Sequence, residues 1–177
     1  MPKAFDLVIK NVRVVRPKKT SVDCLDIAIT DGKIERLAPD VSAEQAEQVF
    51  DGRNYLAFPG CVDAHMHIGI YSPLHDDAVS ESKAAAFGGV TSSLNYMRTG
   101  HYYLNRGGSY RDFMAEVFQQ SKGRFWVDYG YHIAPIESAH IEEMEHLLVD
   151  HGIRPSKYSC STAAMGCMGG HLRKTNF

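Results

Sequence analysis

Pro59-Gly60-Cys61-Val62-Asp63-Ala64-His65-Met66-His67 is the stretch that decides the fold, because it reads as a strand that ends in two histidines. In a strand, residues i and i+2 point to the same face, about 7 Å apart along the chain. His65 and His67 are therefore predicted to share a face, and two imidazole nitrogens can approach one cation at about 2.0 to 2.1 Å. Asp63 shares that face and is predicted to orient a metal-ligating side chain without binding the ion itself.

Strands and helices alternate after this stretch. The sequence predicts strands over 61–67, 90–97 and 125–133, and helices over 76–87, 109–123 and 137–150. Repeated β-α units imply a parallel sheet. The last helix is predicted to end at Gly152 and to bury one apolar stripe. That stripe comprises Ile141, Met144, Leu147 and Leu148.

The segment before this stretch reads differently, as short strands joined by turns. Residues 5–15 are rich in β-branched side chains, which favour strands. Asp31-Gly32 and Asp51-Gly52 each predict a hairpin turn. The first 58 residues are therefore predicted to form a small β-sheet layer.

Several segments together resemble the amidohydrolase superfamily. They are Asp6-Leu7-Val8-Ile9-Lys10-Asn11, Asp31-Gly32-Lys33-Ile34, the segment from Phe58 to His67, and Gly88-Gly89-Val90-Thr91-Ser92. Asp128-Tyr129-Gly130-Tyr131-His132 and the order of segments are similar to the hydantoinase and dihydropyrimidinase branch. The resemblance covers residues 4–153, and members of the family are well over twice as long. It identifies the chain as an amino-terminal piece of such a protein.

The resemblance implies an α/β fold with three parts. Residues 1–58 would be a portion of a β-sandwich domain, and residues 59–153 the first βα units of a (β/α)8 TIM barrel. About three and a half of the eight units would be present. Residues 154–177 would form an aberrant, disordered tail that follows neither strand nor helix periodicity.

The resemblance also implies hydrolysis of a cyclic amide or imide, such as a hydantoin or dihydropyrimidine ring. The family site holds two zinc ions bridged by a carbamylated lysine. His65 and His67 would hold one ion, and Lys157 keeps the register of the bridging lysine. The chain ends before the other family ligands, and a catalytic zinc site needs three protein ligands. The chain alone is therefore predicted to be inactive, whereas full-length relatives form homo-oligomers, often tetramers.

The tail from Arg154 departs from the family pattern. When the tail is back-translated and each codon is started one base earlier, synonymous codons permit the sequence Ser-Phe-Lys-Ile-Phe-Met-Phe-Tyr-Gly-Gly-Tyr-Gly-Leu-His. This is the family pattern at that point. We therefore expect that a nucleotide was lost near codon 154; a native divergent tail is the alternative. On either interpretation Cys160, Cys167 and His171 match no zinc-site spacing. Pro155 also stands where strand pairing would begin.

Two other functions stay open. One is a non-catalytic assembly protein of the dihydropyrimidinase-related type, against which the retained His65 and His67 argue. The other is a dihydroorotase-like enzyme, whose substrate carries a carboxylate and needs an arginine near the first strands. Ile68-Gly69-Ile70 follows His67 without one; Arg98 lies near the end of the second predicted strand but not at that position. His132 is predicted to be a buried histidine paired with Asp128 rather than a metal ligand.

Composition excludes several classes of partner. The net charge of −2 gives no electrostatic basis for binding nucleic acid or an anionic membrane. No apolar run approaches the length of a membrane span, and no secretory signal begins the sequence. The four cysteines show no CxxC spacing and are predicted to be free thiols, which indicates a cytoplasmic location.

Overall fold

The computed structural model describes residues 3–155, and the chain divides into two compact units between Pro59 and Gly60. Each unit contains its own sheet. Lys157, Cys160, Cys167 and His171 lie outside the described residues, as does the part of the predicted frame-shifted tail from residue 156 onward.

The first unit is a mixed five-stranded sheet. Its strands are β1 (Phe5–Val14), β2 (Asp23–Thr30), β3 (Lys33–Ala38), β4 (Ala46–Asp51) and β5 (Leu56–Ala57). The strand order is β3-β2-β1-β4, and β5 also pairs with β1. β2 runs antiparallel to both β1 and β3, whereas β4 and β5 run parallel to β1.

The predicted hairpin at Asp31-Gly32 is confirmed. Thr30 pairs with Lys33 across the turn, and the two turn residues have φ angles of 50° and 69°. Positive φ at both central positions is the geometry of a type I′ turn, which Asp-Gly adopts at low cost.

The predicted hairpin at Asp51-Gly52 is wrong. β4 and β5, on either side of it, both run parallel to β1, so the chain does not reverse there. Gly52 instead lies against β1: its N–H donates to the Lys10 carbonyl at 2.7 Å, and a Cβ would meet the Val12 Cβ at 2.7 Å. Glycine is needed for this close backbone approach rather than for a turn.

The second unit is a four-stranded parallel sheet with helices in the connections. Its strands, in spatial and chain order, are β6 (Cys61–Met66), β7 (Val90–Met97), β8 (Asp128–Ile133) and β9 (Arg154–Pro155). The helices are α1 (Leu74–Phe87), α2 (Tyr110–Ser121), α3 (Ser138–Glu142) and α4 (Met144–His151). The parallel sheet expected from the β-α alternation is present.

α2 begins where the sequence predicts. The Ser109 hydroxyl accepts a hydrogen bond from the Arg111 N–H at 3.1 Å, which is the N-cap interaction of a serine. Phe113, Met114 and Val117 are fully buried on one face of α2 and form the core of this unit with side chains of the other elements.

The single helix predicted over 137–150 is wrong, because it is two helices, α3 and α4, that meet at Glu143. The Glu143 carboxylate accepts from the Tyr110 N–H at 2.6 Å, at the N-terminus of α2. The break interrupts the helical period, so the predicted apolar stripe is not buried as a whole. Leu147 is buried, whereas Ile141 and Leu148 are exposed. Gly152 ends α4 in the left-handed conformation, as predicted.

Two strand boundaries differ from the prediction. β8 begins at Asp128 rather than at residue 125, because the Trp126 N–H donates to the Ser82 hydroxyl of α1 instead of joining the sheet. Arg154 and Pro155, predicted to belong to an unpaired tail, form β9 and pair with β8. Proline is tolerated there because β9 is the last strand of the sheet within residues 3–155.

Within residues 3–155, none of the helices combines the length and the apolar character that crossing a lipid bilayer requires.

The start of β6 depends on a glycine, and we predict that Gly60→Ala destabilises this unit. A Cβ on Gly60 would lie 2.1 Å from Oγ1 and 2.2 Å from Cγ2 of Thr91 on β7. The Thr91 Cβ, at 2.7 Å, cannot rotate aside, so the two backbone segments must separate, at a cost of about 2 kcal/mol. Urea unfolding followed by circular dichroism measures the loss.

The control for this prediction is Gly107→Ala, because no atom lies within 4 Å of the corresponding position. Gly107→Ala is expected to leave the urea midpoint unchanged. Adding Thr91→Gly to Gly60→Ala should recover part of the lost stability. Equal midpoints for Gly60→Ala and the unchanged protein would show that the two strands are not in close contact.

Candidate metal centre

His65 and His67 lie at the carboxyl end of β6, and their Nε2 atoms are 3.1 Å apart. The two rings meet edge to face, with centroids separated by 4.8 Å and planes at 80°. Both side chains are exposed at this end of the sheet. The alternation that the sequence predicts along β6 thus brings the two Nε2 atoms together.

This arrangement fits two ligands of one metal ion. Two nitrogens bound at 2.0 to 2.1 Å to a tetrahedral zinc ion lie about 3.3 Å apart, close to the observed separation of the Nε2 atoms. Across residues 3–155, no three or more His, Cys, Asp or Glu side chains are placed to hold one ion together. The described residues therefore supply a pair of ligands rather than a complete catalytic set.

A second layer of side chains contacts the Nδ1 atoms of the pair. His65 Nδ1 lies 3.1 Å from Nε2 of His132 on β8, and His67 Nδ1 lies 3.2 Å from the Tyr103 hydroxyl. His132 and Tyr103 are both buried, at 5% and 4% exposure. The Nδ1 atom of each histidine therefore has a buried partner on the side of the ring that faces away from the other histidine.

Tyr96 on β7 lies between the members of this cluster. Its ring centroid is 5.4 Å from that of His65, 5.0 Å from that of His67 and 5.6 Å from that of His132. It also packs edge to face on Tyr103 at 5.9 Å. Because Tyr96 pairs with His132 across the β7–β8 ladder, the parallel sheet itself sets this packing.

The loop between β7 and α2 carries Tyr103 and is held by its own hydrogen bonds. The Gly100 N–H donates to the Arg106 carbonyl at 2.8 Å, and the Tyr102 N–H donates to the Asn105 side chain at 3.2 Å. The Arg98 guanidinium lies over the Tyr103 ring at 4.9 Å. Burial raises the pKa of Tyr103 to about 12, so its hydroxyl stays protonated at neutral pH.

Asp63 and Asp128 are placed differently from the predictions. The Asp63 carboxylate accepts from the backbone N–H of His65 at 3.0 Å, so the contact that the structure shows is to the backbone. Asp128 begins β8 and His132 lies four residues along it, which separates them by about 13 Å in an extended strand. The predicted pair of Asp128 with His132 is therefore wrong, and the histidine faces His65 instead.

A cavity of about 380 Å³ lies beside the loops that follow β6 and β7. Two aromatic rings, Tyr71 and Tyr102, line it and contact each other with centroids 6.1 Å apart. Asn105 and Gln120 add amide groups to its wall. In a parallel sheet the loops after the strands are where ligands commonly bind.

Sequence relatives share this part of the chain. A D-hydantoinase of Ralstonia pickettii is 31% identical over 159 residues, covering 86% of this chain and 32% of that protein. A dihydroorotase of Solibacter usitatus is 39% identical over 87 residues, covering 49% of this chain and 20% of that protein. The chain spans about a third of the length of the D-hydantoinase. No family model matches the chain.

The solved structures give the same answer. A crystal structure of a D-hydantoinase superposes with a TM-score of 0.69 at 28% identity, covering 82% of this chain and 31% of that one. Together with the motifs and the parallel sheet, this likeness places the chain in the amidohydrolase superfamily. Within the superfamily it belongs to the hydantoinase branch, as the sequence resemblance predicts.

Proposed function

We propose that this chain contributes the first ligand pair of a metal-dependent hydrolase of cyclic amides. The observation that supports the proposal is the 3.1 Å separation of the His65 and His67 Nε2 atoms at the end of β6. Active sites of (β/α)8 barrels lie at the carboxyl ends of the strands, which is where this pair stands.

We infer a domain organisation that agrees with this function. Residues 59–153 form the first βα units of a TIM barrel, and residues 1–58 contribute to a β-sandwich domain. The consecutive order β6-β7-β8-β9 of parallel strands supports the first assignment, and the separate mixed sheet supports the second. Assembly of the whole protein into a homo-oligomer stays a prediction.

The pair is suited to zinc, a borderline-soft ion for which imidazole is a common ligand. An ion held there supplies Lewis acidity, which activates water and polarises an amide carbonyl. His65 and His67 would hold it, while His132 and Tyr103 fix the orientation of the two rings. For the full-length protein, the proposal includes a second zinc ion and a bridging role for Lys157, carbamylated as in the family.

The proposed substrate is an uncharged ring, such as a hydantoin or a dihydropyrimidine. The cavity formed by the loops after β6 and β7 supports this choice, because its wall carries the rings of Tyr71 and Tyr102 and the amides of Asn105 and Gln120, which suit a planar polar molecule.

A dihydroorotase-like activity is the second candidate, and one contact favours it. Arg98 lies over the ring of Tyr103, whose hydroxyl contacts His67, so a single residue separates this cation from the histidine pair. A substrate carboxylate would need such a cation. Comparing dihydroorotate with hydantoin and dihydrouracil distinguishes the candidates, provided a longer form of the protein is assayed beside this chain.

Zinc titration of the purified chain tests the proposal. We expect one zinc ion per chain by calorimetry, because the described residues supply one pair of ligands. Turnover of hydantoin, dihydrouracil and dihydroorotate by the zinc-loaded chain is expected to equal that of zinc-containing buffer, since three protein ligands are typical of a catalytic zinc ion. A chain that binds no zinc would contradict the proposed site. A compact monomer with two tightly held ions, or clear turnover, would contradict the two-ligand interpretation.

A further inference from the structure

We propose that Tyr103 and His132 are positioning residues for His65 and His67. They allow the pair to give up the hydrogen bond between its two Nε2 atoms and to bind one metal ion with both atoms instead. The inference rests on the proposed function, because it concerns the same pair. The evidence is a continuous row of four side chains, Tyr103, His67, His65 and His132, joined by three contacts of 3.2, 3.1 and 3.1 Å.

The row has a directional constraint when no ion is bound. A neutral imidazole has one N–H and one acceptor nitrogen, so each contact in the row needs a donor on one side and an acceptor on the other. If the Tyr103 hydroxyl donates to His67 Nδ1, then His67 Nε2 donates to His65, and His65 Nδ1 donates to His132. The opposite direction satisfies the same contacts. In both directions one proton lies between the two Nε2 atoms.

An ion bound by the pair removes that arrangement. Both Nε2 atoms must then offer a lone pair, so both protons must be on the Nδ1 atoms. One of the two histidines therefore changes tautomer without any change in net charge. The Nδ1 atom of that histidine becomes a donor. Its outer neighbour, Tyr103 or His132, donated a hydrogen bond to this atom before and must now accept one from it.

Tyr103 and His132 are chemically able to make this change. A phenol hydroxyl both donates and accepts, and a neutral imidazole presents either role at one nitrogen according to its tautomer. Both side chains are buried, and the packing of each on Tyr96 keeps it beside its partner. Partners of this kind raise metal affinity by fixing the tautomer and the orientation of a ligating histidine.

Cobalt titration of five variants of the full chain, with His67→Ala as the reference that lacks a ligand, tests the inference, since the visible spectrum of Co²⁺ reports its ligands. Tyr103→Phe is expected to weaken Co²⁺ binding about tenfold, because water replaces part of the lost contact at the exposed His67. His132→Leu is expected to weaken it by up to about 100-fold, because leucine offers His65 Nδ1 neither a donor nor an acceptor. His132→Gln should recover most of the affinity, since an amide can also donate or accept. Tyr129→Phe, at an exposed tyrosine of β8 outside this row, is the matched control and should bind normally.

Long-range ¹⁵N spectra of the histidines provide a readout that a purely structural role would not affect. In the metal-free protein one of the pair is expected to carry its proton on Nε2, and zinc should move that proton to Nδ1. Circular dichroism verifies that each variant is folded; a loss of affinity in Tyr103→Phe, which keeps the ring, already supports the inference.

The outcomes separate the inference from the function on which it rests. If Tyr103→Phe and His132→Leu bind Co²⁺ normally while His67→Ala does not, or if zinc leaves both tautomers unchanged, the positioning role is wrong and the metal site remains. If the unchanged protein binds no more Co²⁺ than His67→Ala, the proposed site is wrong, and the positioning role with it.

Discussion

Replacing both His65 and His67 with alanine is expected to reduce zinc affinity at least 100-fold, to the level of nonspecific binding. The two Nε2 atoms are 3.1 Å apart, and no other group of three or more ligating side chains in residues 3–155 could take over the ion. Among the described residues, Tyr103 and His132 then face the positions that the two imidazoles occupied. Competition with a zinc-sensitive dye measures the affinity.

The control for this prediction is His75→Ala. His75 lies in the same unit near the start of α1, with its side chain 45% exposed, and its contact is with the neighbouring Asp76. Loss of a surface imidazole should leave the tight site intact. Equal zinc affinity for the double variant and the unchanged protein would exclude the pair as ligands.

The sequence predicts the strands and the histidine pair well because both depend on local periodicity. Alternation along β6 needs only the period of two, and the ends of β7 follow from glycines and apolar runs. The Asp31-Gly32 hairpin is predictable for the same reason, since its turn geometry is specified by two adjacent residues. Asp51-Gly52 gives the same local signal, yet there the approach of β1 decides the conformation.

The second layer of the site could not be predicted in this way. Tyr103 is 36 residues from His67 and reaches it through a loop whose path depends on its own hydrogen bonds. His132 is 67 residues from His65 and contacts it across β7, the strand that lies between β6 and β8 in the sheet. The aromatic and histidine residues after β7 were the available signal, but their contacts depend on strand order and loop conformation.

The largest expected effect on stability concerns Asp26, which is completely buried in the first unit. Its Oδ1 accepts from the Asn11 N–H at 2.7 Å. Its Oδ2 accepts from Lys10 Nζ at 2.5 Å and from the Val41 N–H at 2.8 Å. The carboxylate thus connects β1, β2 and the segment after β3. All three of its partners are donors, so this position requires an acceptor on both oxygens.

Asp26→Asn is therefore expected to lower the free energy of unfolding by about 3 kcal/mol. In either orientation the amide NH₂ faces a donor, either the Asn11 N–H or the Lys10 ammonium with the Val41 N–H. Urea unfolding measures the loss. Asp51→Asn is the matched control: its carboxylate also binds a cation, Arg53, but is exposed, and exposed pairs contribute little. Equal losses for the two variants would contradict the argument from burial.

The pH dependence of stability provides an independent check on the same carboxylate. Burial alone would raise the pKa of Asp26, but the hydrogen bonds from Lys10, Asn11 and Val41 outweigh it and hold the pKa below its ordinary value of 3.8. A lowered pKa means that the folded state binds the proton more weakly than the unfolded state. The contribution of Asp26 is therefore complete above pH 3.8 and is lost as the pH falls through the folded-state pKa. Below pH 3.8 the unchanged protein should lose its stability advantage over Asp26→Asn, so that the two unfolding midpoints converge. A difference that stays constant down to the lowest pH at which both proteins fold would show that the carboxylate charge is not what stabilises this unit.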